Sequence, residues 1–254
     1  MGMDYDGRMH TVYAEGRRLA PGDLRRWLDE FQRWAPEARP LTVLDLGSGT
    51  GRFTPALADT FGGPVYGVEP SARMRATAGA DATHPAVTYL DGAAEAIPLP
   101  SGSCDLALLF LTLHHFTDRP RAFRELARLL RPGGVVLLRS QFRDRMPDLY
   151  WYRYFPFARE ADAGMYPSLA DVRPEAAGAG LTPDPAPAGP AAEGTTSLRD
   201  LYDRMSLRAY STFEHIPADE LDAGFERFRR DAEAHPDQPV PNVRMDLLVL
   251  RRPS

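Results

Sequence analysis

The sequence predicts an α/β protein with a doubly wound, mainly parallel sheet, and three observations carry that prediction. From Leu41 onward, short apolar runs alternate with segments of helical periodicity, the pattern of strands joined by crossover helices. Two of those runs, 104–110 and 134–139, are almost wholly apolar, as expected of central strands covered on both faces. The first run stops abruptly at Gly47-Ser48-Gly49-Thr50-Gly51. At such a turn the backbone can approach a ligand without a Cβ in the way, and the helix start behind it offers N–H groups to negative charge.

Taken in order, Leu24, Trp27, Leu28, Phe31 and Trp34 recur at helical spacing after Pro21-Gly22-Asp23, so an amphipathic helix opens the fold. Strands are predicted at 42–46, 65–68, 86–90, 104–110 and 134–139, with helices at about 52–60, 71–79 and 119–130 between them. Arg131-Pro132-Gly133-Gly134 reads as a turn that ends one helix and launches the next strand. Beyond residue 140 the rhythm changes: residues 141–167 are crowded with arginines and aromatics. Ser168 and Asp171 then resemble a capping box, opening a helix that fades at Gly178 or Gly180. Residues 182–190 carry four prolines, so a strand there must lie at a sheet edge. Leu198 to Ala234 reads as helical with a break near Ile216-Pro217, and Val243–Leu250 as a last strand.

A chain of 254 residues is read as one domain with one core, or one core with a cap. No apolar run is long enough to cross a bilayer, and the start shows no charged-then-apolar leader, so a cytoplasmic protein is expected. Cys104 is the only cysteine, which excludes an internal disulfide and a thiolate metal cluster; it reads as a core residue, and no metal is expected. The net charge of −5 leaves no electrostatic footprint for nucleic acid. All 30 basic residues are arginine; the bias itself reads as compositional, but it rules out a lysine Schiff base and a Walker-type phosphate lysine.

The glycine turn gains force from its neighbours. Val65-Tyr66-Gly67-Val68-Glu69 is a second strand ending in a carboxylate about 20 positions on, where a doubly wound sheet binds ribose hydroxyls. Asp91–Leu99 follows the third strand, and Leu111-Thr112-Leu113-His114-His115-Phe116 leaves the fourth over the same crevice. In Gly-x-Gly-x-Gly the third glycine comes one residue earlier than in the dinucleotide fingerprint, which suits a ligand without a pyrophosphate and disfavours a nicotinamide oxidoreductase.

Residues 40–140 therefore resemble the class I S-adenosylmethionine (SAM)-dependent methyltransferases, in the small-molecule branch related to the ubiquinone-biosynthesis methyltransferase. The resemblance implies a Rossmann-like seven-stranded sheet, mostly parallel with its last strand (243–252) antiparallel, helical lid insertions at 141–167 and 194–235, and covering helices over 1–36. It implies that Gly47, Ser48, Gly49 and Gly51 contact the methionine moiety and that Asp45 orients their turn. Glu69, followed by Pro70, would bind the ribose. Met74 would pack on the adenine, unless it is an ordinary helix-packing methionine, and Ala93, Ala94 and Glu95 would border it. Backbone near Phe110 and Leu111 would receive the methionine amino group. Tyr5, Tyr13 and Arg17 resemble the family's covering helix, Tyr13 and Arg17 on the cofactor side with Arg17 toward the methionine carboxylate, and Tyr5 on the acceptor side. Many relatives carry an acidic residue at position 93 to accept the adenine amino group; Ala93 puts that hydrogen bond, but not the site, in question.

The chemistry expected is transfer of the SAM methyl to an O or N atom of a small, aromatic or heterocyclic acceptor, in secondary metabolism. Proximity and orientation supply most of the catalysis. His114 and His115, at the mouth of a central strand, are the candidate general bases, with a packing role as the alternative for either. Tyr150, Trp151, Tyr152, Tyr154, Arg208, Tyr210 and Phe213 are read as an acceptor lid, against the alternative of a cap that packs only on itself or at a dimer contact. The partner expected is a small molecule, with no nucleic acid or membrane, and a monomer or homodimer. A SAM-binding protein of the same fold that transfers no methyl group is the competing reading. A nucleic-acid methyltransferase lacks its Asn/Asp-Pro-Pro-aromatic motif here, and an arsenic methyltransferase its cysteines.

Overall fold

The computed structural model describes residues 21–185, 189–190 and 194–254. Tyr5, Tyr13 and Arg17 lie outside the described residues. The first half alternates helix and strand: α1 (Pro21–Trp34), β1 (Leu41–Leu46), α2 (Thr54–Phe61), β2 (Gly62–Val68), α3 (Ala72–Asp81), β3 (Val87–Leu90), β4 (Cys104–Phe110), α4 (Arg119–Leu129) and β5 (Leu130–Arg139). The second half contains α5 (Ala158–Met165), α6 (Leu169–Gly178), β6 (Thr182–Pro183), β7 (Thr195–Ser197), α7 (Leu198–Ser206), α8 (Ala218–Ala234), β8 (Pro239–Pro241) and β9 (Leu247–Arg251), with short 3-10 turns between them.

Seven strands form one sheet in the order β3-β2-β1-β4-β5-β9-β6. β1 to β5 run parallel, β9 is antiparallel to β5, and β6 pairs only with β9 at the edge. This is the doubly wound, Rossmann-like α/β sheet that the sequence predicts. Strand order reverses between β1 and β4, and a crevice opens outside their carboxyl ends at such a switch point.

Alternation along the central strands feeds two cores. Leu44 and Leu46 of β1, Ala107 and Leu109 of β4, and Val136 and Leu138 of β5 face α4 and α6. Fully buried Cys104 joins this layer, as its apolar surroundings predict. Val43, Leu106, Leu108, Val135 and Leu137 face the other side, where Trp27 and Phe31 of α1 and Leu57 and Phe61 of α2 cover them. Ser168 does cap α6: its Oγ accepts the Asp171 N–H at 3.1 Å and donates to the Asp171 carboxylate at 2.6 Å.

Several boundaries differ from the expectation, among them the start of the last strand, which lies at Leu247 rather than at 243. β2 starts at Gly62, because Gly62 pairs with Leu41 across a register shift that apolar patterning does not show. The Arg131–Gly134 turn lies inside β5 as an irregularity of the ladder, with Gly133 at φ +76°. The helical stretch 198–234 breaks over Leu207–Pro217, where Arg208 sits at φ +52° and Pro217 caps α8. The two-stranded pairing of β7 with β8 was not predicted, since three-residue strands flanked by proline carry no periodic signal.

A third hydrophobic cluster lies wholly within the second half of the chain. Trp151, Tyr154 and Phe155 pack there with Leu201, Met205, Phe213, Phe225 and Phe228. Tyr154 stacks on Phe228 with ring centroids 4.2 Å apart and planes at 5°. Phe228 is fully buried, so Phe228→Ala should cost about 3–5 kcal/mol in urea denaturation; a cost under about 1 kcal/mol would show that this cluster is not a close-packed core.

Candidate active site

The site is assembled at the carboxyl ends of β1, β2 and β4. β1 ends in the glycine turn, where Gly47, Gly49 and Gly51 all take left-handed backbone, φ +72°, +56° and +81°. A Cβ on Gly47 would stand 2.3 Å from Thr112 Cγ2, and one on Gly51 would stand 2.4 Å from the Tyr89 hydroxyl. Position and conformation thus both demand glycine.

The turn is tied to β2. The N–H groups of Gly47 and Ser48 donate to the Val68 carbonyl at 2.7 and 3.2 Å. Gly49 N–H donates to Glu69 Oε2 at 3.0 Å, and Ser71 N–H to Glu69 Oε1 at 2.9 Å. Arg75 fixes the same strand end, donating to the Glu69 carbonyl at 2.6 Å and pairing with Asp91 at 2.9 Å. Pro70 follows directly, and Ser71 caps α3 by accepting the Met74 N–H at 3.2 Å. The Met74 side chain is buried.

Asp45 is buried one turn below. Its Oδ2 accepts the Thr54 hydroxyl at 2.6 Å, which links the end of β1 to the first residue of α2. Burial pushes its carboxyl up to about 6, against the opposing Thr54 hydrogen bond and Arg52 charge and with the Glu69 charge adding to the rise. The α2 start has no side-chain cap.

The 91–99 loop is held from the other side. Ala96 N–H donates to the Ala93 carbonyl at 3.1 Å, and Ala94 is buried. Glu95 Oε1 accepts from Thr117 N, Thr117 Oγ1 and Asp118 N at 2.8, 2.9 and 3.0 Å. Partial burial alone would raise this carboxyl, but those hydrogen bonds outweigh it and hold it below the usual range. The Glu95 side chain therefore anchors the loop to the start of α4.

β4 leaves the sheet through Leu111, a non-glycine residue at φ +61°, whose N–H donates to the Arg139 carbonyl at 2.8 Å. Such a conformation in a leucine is strained, which is common where a binding site fixes the backbone. His114 and His115 follow in a 3-10 turn, ring centroids 3.9 Å apart, with His114 4.6 Å from the Tyr166 ring. His114 is half-buried and His115 is exposed.

Beside Leu111 lies a cavity of about 290 Å³, walled by α1, by the ends of β4 and β5, and by the aromatic second half of the chain. Tyr150, Trp151 and Tyr210 reach it, as do Tyr166 and the Asp162 carboxylate. The other aromatics singled out from the sequence face elsewhere. The Tyr152 hydroxyl donates to Asp162 at 2.7 Å and that of Tyr154 to Asp231 at 3.1 Å. Burial and the adjacent carboxylates push both phenols up. Phe213 packs inside the third hydrophobic cluster, and Arg208 pairs with Asp222 at 2.7 Å over the Phe225 ring. Sequence reasoning missed Trp27, Arg52, Arg139, Gln141 and Asp162 at this wall. For Arg139 there was a signal, a charge ending an otherwise apolar strand.

Do these residues suit a SAM-like ligand? The cradle has three left-handed glycines, a carboxylate at the end of β2 and an uncapped helix start. In addition, the Ser48 and Thr112 hydroxyls, flanking the turn and the exit of β4, are buried with no hydrogen-bond partner among the described residues. Buried polar groups of that kind are expected where a polar ligand belongs. The residues fit.

Comparison with known proteins agrees. Residues 44–138 match the family described as "Methyltransferase domain". An uncharacterized methyltransferase of Mycobacterium tuberculosis is 40% identical over 142 residues, 56% of this chain and 53% of that protein. The chain thus matches about half the length of this curated relative. Among solved structures, a putative methyltransferase from an antibiotic biosynthesis pathway of Anabaena variabilis superposes with a TM-score of 0.71 at 24% identity, covering 89% of this chain and 96% of that one. The [4+2]-cyclase SpnF superposes with a TM-score of 0.61 at 17% identity, covering 94% and 85%. Both structural likenesses concern the fold. Residues 44–138 thus match a methyltransferase domain, and this match supports the resemblance to the class I SAM-dependent methyltransferases.

Proposed function

We propose that the protein transfers the SAM methyl group to an O or N atom of a small aromatic or heterocyclic acceptor, in the cytoplasm and in secondary metabolism. The observation that carries this reading is adjacency. Phe110, Leu111 and Arg52 line the aromatic-walled cavity, and Thr112, the residue after Leu111, lies against Gly47 of the glycine turn that Glu69 braces.

In this reading Glu69 holds the ribose hydroxyls, and the turn from Gly47 to Gly51 lies under the methionine moiety. The Phe110–Leu111 backbone, Tyr13 and Arg17 complete the methionine end. Met74, Ala93, Ala94 and Glu95 border the adenine. Asp45 acts as a positioning residue, through Thr54. The cofactor supplies an electrophilic methyl on a sulfonium, so the protein's task is to align the acceptor and exclude water. The wall formed by Trp27, Trp151, Tyr150 and Tyr210 does both, with residues 141–167 and 194–235 as the lid. A proton from the acceptor passes to His114, whose ring rests against Tyr166 at the cavity wall; exposed His115 supports it from outside.

A second reading, use of the fold without methyl transfer, is favoured by one specific observation: a [4+2]-cyclase superposes over most of this chain. Incubation with methyl-labelled SAM and a panel of phenols, carboxylic acids and N-heterocycles separates the two. Labelled product and stoichiometric S-adenosylhomocysteine support transfer. Cofactor binding with no label transferred across the panel supports the second reading.

Two further outcomes are expected. Glu69→Ala should weaken SAM binding at least tenfold, about 1.4 kcal/mol, by calorimetry, and an unchanged affinity would count against the cradle. Asp45, raised to about 6, is protonated more readily in the folded than in the unfolded chain. Its protonated form therefore contributes stability that is complete below about pH 4 and lost as pH rises through about 6. A cationic ligand favours the ionised form, so SAM binding near pH 6 should release protons. Calorimetry in buffers of different ionisation enthalpy should show that release in the wild type and lose it in Asp45→Asn.

A further inference from the structure

Gln141 lies just past the point where two strands stop pairing. β5 and the antiparallel β9 stay in register as far as Arg139 and Leu247. Beyond that pair, Gln141 on one side and Val243 and Met245 on the other line the acceptor cavity of about 290 Å³. The same three residues also line a neighbouring cavity of about 240 Å³, so they form the wall that the two spaces share.

One atom of that wall is unsatisfied. Gln141 Oε1 is buried and has no hydrogen-bond partner among the described residues. The adjacent Ser140 hydroxyl does not serve it, donating instead to the Gln141 backbone carbonyl at 2.8 Å. The Asp162 carboxylate on the same wall differs, since it accepts the Tyr152 and Thr212 hydroxyls at 2.7 and 2.5 Å. A buried amide oxygen without a donor costs free energy, and an apolar side chain of the same size would avoid that cost. Native structures keep few such groups, and each calls for an explanation. Here the place supplies one: the oxygen belongs to a residue lining an aromatic-walled cavity at the carboxyl end of the sheet, where ligands bind in this architecture.

We propose that Gln141 is a specificity-determining residue, whose amide oxygen accepts a hydrogen bond from an N–H or O–H group of the acceptor. This rests on the acceptor-site reading above. The terminal torsion of a glutamine is soft, so the oxygen can turn toward a donor in the cavity without backbone movement. The acceptor is then a planar molecule that presents a polar hydrogen to the β5 side of the cavity. An analogue with an ether oxygen, ester oxygen or fluorine in that place leaves the amide oxygen unpaired and is rejected. A neutral amide oxygen takes up no proton, so Gln141 selects and positions the acceptor and leaves proton removal to His114.

Pairs of near-identical shape test this: 2-quinolone with coumarin, indole with benzofuran, and 2-naphthol with 2-fluoronaphthalene. Within each pair one N–H or O–H is replaced by oxygen or fluorine. Binding is measured by equilibrium dialysis on protein loaded with S-adenosylhomocysteine, so methyl transfer is not needed for the readout. At least one N–H or O–H compound should bind about tenfold or more tightly than its partner. Gln141→Leu should reduce that preference to less than about twofold, with a similarly small change in the Kd for S-adenosylhomocysteine. Its urea midpoint should equal or exceed that of the wild type, because an orphaned oxygen is removed. Four outcomes overturn the inference: no pair distinguished, a preference that survives in Gln141→Leu, a clearly lower urea midpoint in that variant, which would show the amide satisfied by the protein's own packing, or loss of S-adenosylhomocysteine affinity, which would place Gln141 at the cofactor. Failure of the wild type to bind S-adenosylhomocysteine would instead overturn the cofactor reading. A preference that depends on Gln141, in a protein that transfers no label, would support this site and overturn the transfer reading.

Discussion

The site depends on the way the β1 end is fastened to its neighbours. A turn with three left-handed glycines has little conformational preference of its own, so its shape must be imposed from outside. The Val68 carbonyl and the Glu69 carboxylate impose it from β2, by accepting the N–H groups of Gly47, Ser48 and Gly49. Asp45 and Thr54 fix the other side, where the turn becomes α2. Glu69 is a strut for the turn, and in the proposed reading it also accepts the ribose hydroxyls, so structure and binding would share one carboxylate.

The remaining contacts extend this frame outward. Glu95 ties the 91–99 loop to α4, and the Phe110 ring joins the cradle to the cavity. Phe110 packs edge-on to Trp27 at 5.0 Å and against Phe53 at 4.5 Å. The opening helix, Phe53 just beyond the glycine turn and Phe110 at the cavity wall therefore share one aromatic cluster. The second half of the chain adds a hydrophobic cluster of its own.

Most of the sheet was legible in the sequence, for a physical reason. Central strands such as 104–110 must be apolar on both faces, and a switch-point turn must be glycine-rich, so both leave local signatures. The cap was legible only as composition. Which aromatics face the cavity and which face each other depends on long-range packing: Trp151 and Tyr210 line the cavity, whereas Tyr154 pairs with Asp231, 77 positions away. Similarly, Glu95 reads as a ligand neighbour, but its carboxylate meets residues more than 20 positions on. Arg139 stood in plain view at the end of an apolar strand, yet only the register of β5 with β4 shows that it points inward.

The central claim is that the β1 turn and Glu69 form a SAM cradle that opens onto the acceptor cavity. A crystal structure with S-adenosylhomocysteine tests it most directly. The account predicts the ribose hydroxyls on the Glu69 carboxylate, the homocysteine moiety over Gly47–Gly51, and the sulfur directed toward the cavity beside Phe110. A ligand bound elsewhere, or one whose sulfur faces away from that cavity, would contradict it.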